Sequence, residues 1–264
     1  MNTSADAGTL SWLNLSRLPI TVKALFTGYL MAAGLGLFMA GAQILLTHGM
    51  ADGKPGLSVN DIIYSYYGNR SGSKLESMLN GQMKPMAPAP VRTDIIKWVR
   101  EGAPEKDWAP HYQAVFDQYC VKCHSVLPNI PNFKDYATVA KLAKVDEGAS
   151  FKNLTRLSHI HLFGIAFIFF FTGLIFNFAS GVPRWLKSVV VFFPFFFLVT
   201  DIASWWLTKF YWQFAYLTLI GGVGYSLASS FMWIVSLWQM WIWPIFGKRA
   251  DGFAWAGDRP ADSH

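Results

Sequence analysis

Residues 120–124 read Cys120-Val121-Lys122-Cys123-His124. C-x-x-C-H is the attachment pattern of c-type haem. The two thiols add across the haem vinyl groups, and the adjacent histidine becomes an axial iron ligand. The cysteine spacing fits one helical turn, so both sulfurs face the same porphyrin edge. These are the only two cysteines in 264 residues. A zinc site needs further Cys or His at ligand spacing, and there is no second C-x-x-C. A thioredoxin-like pair needs a βαβ setting that the surroundings do not supply. Covalent haem attachment takes place on the oxidising, outward side of an energy-coupling membrane. The motif therefore predicts on which side residue 120 lies, and through it the topology of the chain.

Working outward, the chain is 53% hydrophobic, 17% aromatic and only 14% charged. Soluble domains carry about 25% charged residues, so the balance points to a membrane. Four spans are predicted, over about 24–47, 159–179, 189–207 and 211–245. The first is uncharged and long enough for a hydrocarbon layer of about 30 Å. The fourth is longer than needed, so it tilts or projects. Ala40-Gly41-Ala42 resembles a small-residue cleavage site, but the apolar run is too long for an ordinary signal peptide, and it reads as an uncleaved signal anchor. Gly28, Ala32, Gly36 and Ala40 recur every four residues, either as a ridge suited to close helix contact or as ordinary Gly/Ala enrichment of a membrane helix. Only the Pro- and Gly-punctuated stretch between spans one and two can form an extramembrane domain. The fold class is therefore mainly α: four transmembrane helices with one all-α domain between helices 1 and 2. The expected divisions are 1–48 (N-terminus and first span), 49–157 (haem domain), 158–246 (spans two to four) and 247–264 (tail).

Charge placement gives an independent orientation. Arg17 and Lys23 precede span one, Arg184 and Lys187 separate spans two and three, and Lys248, Arg249 and Arg259 follow span four. The loop between spans three and four has only Lys209. The positive-inside rule puts both termini in the cytoplasm and residues 48–158 outside, the side that haem attachment demands. The expected location is a bacterial inner membrane, crossed several times, with the haem domain periplasmic. The net charge of +6 is spread along the chain and leaves no nucleic-acid footprint.

Residues 111–124 (HYQAVFDQYCVKCH) resemble the first helix of a class I c-type cytochrome. Residues 73–104 (SKLESMLNGQMKPMAPAPVRTDIIKWVREGAP) resemble the closing half of the same fold, a methionine loop followed by a final helix. In that family the methionine loop follows the haem motif; here it precedes it. The resemblance spans residues 50 to about 150 in swapped order and implies a membrane-anchored, mono-haem cytochrome subunit with a cytochrome c-like outer domain. Thr93 or Asp94 can cap the helix that follows the Pro88–Pro90 turn, Ile95, Ile96, Trp98 and Val99 give it an apolar side, and Gly102 and Pro104 stop it. The resemblance implies that this helix packs across the motif helix at Val115 and Phe116. It also implies one covalent haem c on Cys120 and Cys123, with His124 as proximal ligand and a methionine opposite. Met86, followed by Ala-Pro, matches that methionine better than Met83. His159 and His161, at the start of span two, stay open as alternatives. Met/His ligation raises the potential, while a second nitrogen ligand lowers it.

His48, His159, His161 and Asp201 make up a second candidate site. Imidazole suits both a b-type haem and copper, although hydrogen-bonding interface histidines are the plainer reading. Asp201 is the one acidic residue inside a span, where an ionisable group is a functional candidate by default. It serves either as a proton acceptor from a quinol or as structural glue. The leading function is electron transfer. As a subunit of a larger respiratory or photosynthetic complex, the haem passes electrons between a membrane partner or quinol-linked site and a soluble or neighbouring cytochrome. The alternative is a quinol-linked or haem/copper oxidoreductase acting at the second site. One haem motif fits the first better than the second.

Overall fold

The computed structural model describes residues 12–49, 56–127, 130–250 and 254–255. The helices, in order, are α1 (Ile20–His48), α2 (Val59–Tyr66), α3 (Lys74–Asn80), α4 (Ala89–Arg100), α5 (Gln113–Tyr119), α6 (Val121–His124), α7 (Tyr136–Ala143), α8 (Phe151–Asn177), α9 (Arg184–Thr208), α10 (Ala215–Leu237) and α11 (Trp243–Ile245). Among the described residues there is no strand, only an isolated bridge between Ser73 and Val145. Four stretches are long and apolar enough to cross a membrane: Ile20–Leu46, Phe151–Asn177, Arg184–Thr208 and Trp212–Ile245. The chain divides into two compact units, one of Met1–Ala40, Thr155–Ser204 and Leu217–His264, the other of Gly41–Leu154 and Trp205–Tyr216.

The first unit is built from the apolar helices. Its core gathers Leu15, Leu18, Leu30, Ile175, Phe176, Ala179, Met232 and Met240. Backbone polar groups at the helix ends need partners, and buried lysines supply them. Lys23 Nζ donates to the carbonyls of Ser16 (2.9 Å) and Met240 (3.0 Å). Lys187 Nζ donates to the carbonyls of Asn177 (3.1 Å), Ala179 (2.7 Å) and Ala254 (3.2 Å). The small-residue ridge does not mediate contact within the described residues: Gly28, Ala32, Gly36 and Ala40 are exposed. Gly34 instead faces the Trp233 indole, whose Nε1 donates to the Leu30 carbonyl (2.9 Å). The fourth span is interrupted by a π turn at Trp238–Ile242, where the buried Gln239 amide donates to and accepts from the Ser180 backbone (2.8 and 2.9 Å).

Hydropathy placed the start of span two late. Helix α8 begins at Phe151, with Ser150 Oγ accepting from the Asn153 amide (3.3 Å). Lys152 and Arg156 interrupt hydropathy without interrupting the helix, because both are good helix formers. The expected boundary at 157/158 therefore falls inside α8, and the unit boundary lies at Leu154.

The second unit has its own core of Leu75, Leu79, Ile95, Trp98, Val99, Ala103, Trp108, Tyr112, Phe116, Val121, Phe133 and Val139. At its centre Trp98 of α4 stacks on Tyr112 (centroids 4.3 Å, 19°) and meets Phe116 of α5 edge-on (6.4 Å). Several of the short helices have a local reason to start. Ser58 and Asp61 form a capping box on α2, Ser73 caps α3, and Asp135 caps α7. Helix α4 starts at Ala89 behind Pro88, with Pro90 in its first turn, earlier than a Thr93 or Asp94 cap allows. Thr93 sits inside the helix and its hydroxyl donates to the Ala89 carbonyl (2.9 Å).

Candidate haem-binding site

Phe116 and Val121 anchor the C-x-x-C-H stretch in the second unit's core. Helix α5 closes with the Cys120 amide donating to the Phe116 carbonyl (2.8 Å). The backbone then breaks at Cys120 (φ −120°, ψ −44°), and a fresh turn, α6, carries residues 121–124. Within it the amides of Cys123 and His124 donate to the Cys120 carbonyl (3.2 and 3.0 Å). Cysteines three apart on such a turn share a face. Both are free thiols, Cys120 half-buried and Cys123 exposed. Burial pushes the Cys120 thiol up to about 11.

The histidine is held from two sides. His124 Nδ1 lies 2.9 Å from the Pro131 carbonyl. A carbonyl oxygen only accepts, so Nδ1 carries the proton and Nε2 keeps its lone pair. The imidazole also stacks on Phe133 (centroids 4.0 Å, 6°), and Phe133 packs edge-on against Phe116 (5.5 Å, 88°). This is the outer-shell arrangement that fixes the tautomer and ring direction of a metal-bound histidine. The residues that follow are apolar and outward: Val126 is 76% exposed and Leu127 55%. Two thiols on one turn, a histidine with Nε2 available and uncovered apolar side chains fit a covalently held haem.

Met86 ends the 3-10 turn Lys84–Met86 behind Pro85 and is 55% exposed; Met83 precedes the turn and is half-buried. Neither belongs to the core, so neither acts as core filler. Beside the motif helix, Asp94 faces His111 Nε2 (3.1 Å) and accepts from the Tyr112 hydroxyl (3.5 Å). Burial, and then the Asp94 charge, push the Tyr112 phenol up to about 12.

His159, His161 and Asp201 lie in the first unit. Both histidines are inside α8 rather than at its start, and side chains two apart on a helix do not face each other. His159 is exposed beside Phe163 (5.1 Å), and His161 Nδ1 lies 2.8 Å from the Leu157 carbonyl. Asp201 of α9 is buried where Gly221 of α10 packs onto its backbone. The His48 side chain lies outside the described residues. Among the described residues no three His, Cys, Asp or Glu side chains are grouped to hold a metal.

Sequence reasoning did not find the supporting pair Pro131 and Phe133. The one available signal is the Pro and Phe in Ile130-Pro131-Asn132-Phe133, shortly after the motif.

No curated protein and no solved structure matches the chain. A family model described as a transmembrane helical domain, Aq_1264_TM, matches residues 111–249. The match begins at His111, takes in the C-x-x-C-H turn, and runs through α8, α9 and α10. Together with the four apolar helices it makes this a multi-pass membrane protein. Covering more than half of the chain, the match establishes that the protein belongs to the Aq_1264_TM family of transmembrane helical domains.

Proposed function

We propose that the chain is a membrane-bound c-type cytochrome that carries electrons as a subunit of a larger respiratory or photosynthetic complex. The observation that carries this reading is His124: its Nδ1–H donates to the Pro131 carbonyl and its ring stacks on Phe133, directly after two thiols on one turn. Cys120 and Cys123 would hold the haem by thioethers, and His124 Nε2 would take the iron. When bound, such a haem supplies a one-electron couple at its iron. Phe133 and Pro131 hold the imidazole, and the exposed Val126 and Leu127 would offer apolar cover to a bound haem. Met86, stiffened by Pro85 and Pro88, is the preferred sixth ligand, with Met83 next. The reading places Cys120 on the periplasmic face of a bacterial inner membrane. The partners are other membrane subunits and a soluble or membrane-bound cytochrome.

The full chain, purified from cells able to mature c-type cytochromes, provides the test. Intact mass should show one added porphyrin, and the pyridine haemochrome spectrum one c-type haem and no b-type haem. Cys123→Ser should leave at most a single thioether. Met86→Ala should abolish the near-infrared magnetic circular dichroism of a methionine-ligated iron. A mature chain carrying two unmodified thiols would overturn the function. An unchanged spectrum in Met86→Ala would overturn the ligand.

A further inference from the structure

A cavity of about 270 Å³ lies in the second unit, between the loop after α2, the loop before α8 and the end of α9. Arg70, Val145, Glu147, Phe151, Lys209 and Phe210 line it. Its construction is specific. Gly68 and Gly148, both with positive φ (87° and 71°), let the two loops cross in backbone contact. The Asp146 amide donates to the Gly72 carbonyl (2.9 Å) and the Ala149 amide to the Ser65 carbonyl (2.9 Å), which fixes the crossing.

Two cations converge on this cavity. Lys209 is 7% exposed, and its Nζ donates to the Glu147 carbonyl (2.9 Å) beside the Phe151 ring (5.2 Å). An ammonium has three donors, so one carbonyl leaves Lys209 with donors for a ligand. Arg70 Nη2 donates to the Lys209 carbonyl (2.9 Å), and its guanidinium lies over the Tyr67 ring (3.9 Å). Among the described residues neither cation is paired with a carboxylate. The nearby Asp146 carboxylate is occupied, accepting from the Gly148 and Asn69 amides (2.9 and 3.5 Å).

Of the remaining lining residues Val145, Phe151 and Phe210 are apolar, and Glu147, whose backbone carbonyl takes the Lys209 ammonium, is exposed. Phe151 opens α8 and Phe210 follows α9, with rings 6.2 Å apart, so both stand where membrane-crossing helices end. Exposed Tyr211 and Trp212 come next, as in an interfacial aromatic belt. Unpaired cations with an apolar rim at that depth suit an amphiphile: phosphate oxygens for Lys209 and Arg70, acyl chain against Phe151 and Phe210. A zwitterionic headgroup would bring its own cation toward two others. We propose that this cavity binds the headgroup phosphate of an anionic phospholipid. Neither cation belongs to the candidate haem site, so the outcome is independent of the proposed function.

Native mass spectrometry of the full-length chain released from detergent tests the proposal, with three probes: phosphatidylglycerol, phosphatidylcholine of the same acyl chains, and inorganic phosphate. The expected result is retention of one phosphatidylglycerol, no phosphatidylcholine at the same concentration, and no displacement by equimolar phosphate. Arg70 is exposed, so Arg70→Gln preserves the fold and should weaken retention about fivefold. Lys209→Arg should retain the lipid, because the charge stays. Equal retention of the two lipids, or wild-type retention in Arg70→Gln, would overturn the proposal. Displacement by equimolar phosphate would instead assign the cavity to a free anion and overturn the lipid reading.

Discussion

At the scale of single residues, Tyr112 shows how burial near a carboxylate creates pH dependence. Its ring is stacked under Trp98 and 8% exposed, and its phenol is pushed up to about 12, first by burial and then by Asp94. The folded state therefore favours the neutral phenol. The sign follows: the stabilisation is complete below the ordinary value of 10.0 and is lost as pH rises toward 12. Tyr112→Phe keeps the stacked ring and removes the ionisation. The variant's thermal midpoint, followed by near-ultraviolet circular dichroism, should fall less between pH 10 and 12 than the wild type's. Parallel curves in that window would mean that the phenol is not protected. Cys120 has the same sign, with a raised thiol, but only while it is a thiol; a thioether does not titrate. Attachment should thus remove the Cys120 contribution and leave that of Tyr112.

At the scale of elements, chain crossings place a stronger demand on backbone freedom than helix ends do. Gly102, just past α4, has φ +91°, but a Cβ there meets nothing within 4 Å. Gly148 has φ +71°, and a Cβ there runs into the Tyr66 carbonyl and the Gly68 amide. Gly102→Ala should cost about 1 kcal/mol from conformation alone. Gly148→Ala should cost about 3 kcal/mol or more, because backbone must also move. Denaturation midpoints of the two variants in one detergent give the order, and an equal loss would contradict the crossing. The comparison also marks what the sequence makes legible. Apolar runs located all four long helices, and on the expected apolar side of α4 Ile95, Trp98 and Val99 are buried while Ile96 is half-buried. Helix starts were harder, since hydropathy is blind to the Lys152 and Arg156 turns of α8 and Pro88 displaced Thr93 as the start of α4. The C-x-x-C-H spacing of the proposed haem site is a signal in the sequence itself, because thioether attachment would fix that spacing. Pro131 and Phe133 were not legible, because their role arises only when the chain returns over the imidazole. The Gly28–Ala40 ridge is exposed, in keeping with the fact that small residues permit contact without requiring it.

At the scale of the whole molecule, two unrelated demands fall on the same topology. The proposed thioether attachment would need Cys120 and Cys123 on an oxidising face, while basic residues hold cytoplasmic loops back from translocation. Arg184 and Lys187 flank the loop between α8 and α9, and Lys248 and Arg249 follow α11; Lys209 alone stands between α9 and α10. Two of these lysines also bind backbone carbonyls: Lys187 gathers those at the end of α8, and Lys209 donates to the Glu147 carbonyl in the loop before α8. An odd number of spans separates residue 127 from each of the points 182 and 249, since α8 alone lies before the first and α8, α9 and α10 before the second. Any consistent threading must therefore put residue 127 on one side and 182 and 249 together on the other. A reporter enzyme that is active only after its disulfides form reads this directly. Fused after residue 127 it should be active, and after 182 or 249 silent. The reverse pattern would leave Cys120 and Cys123 on the reducing face, where their thiols persist and His124 has no covalently held partner to orient.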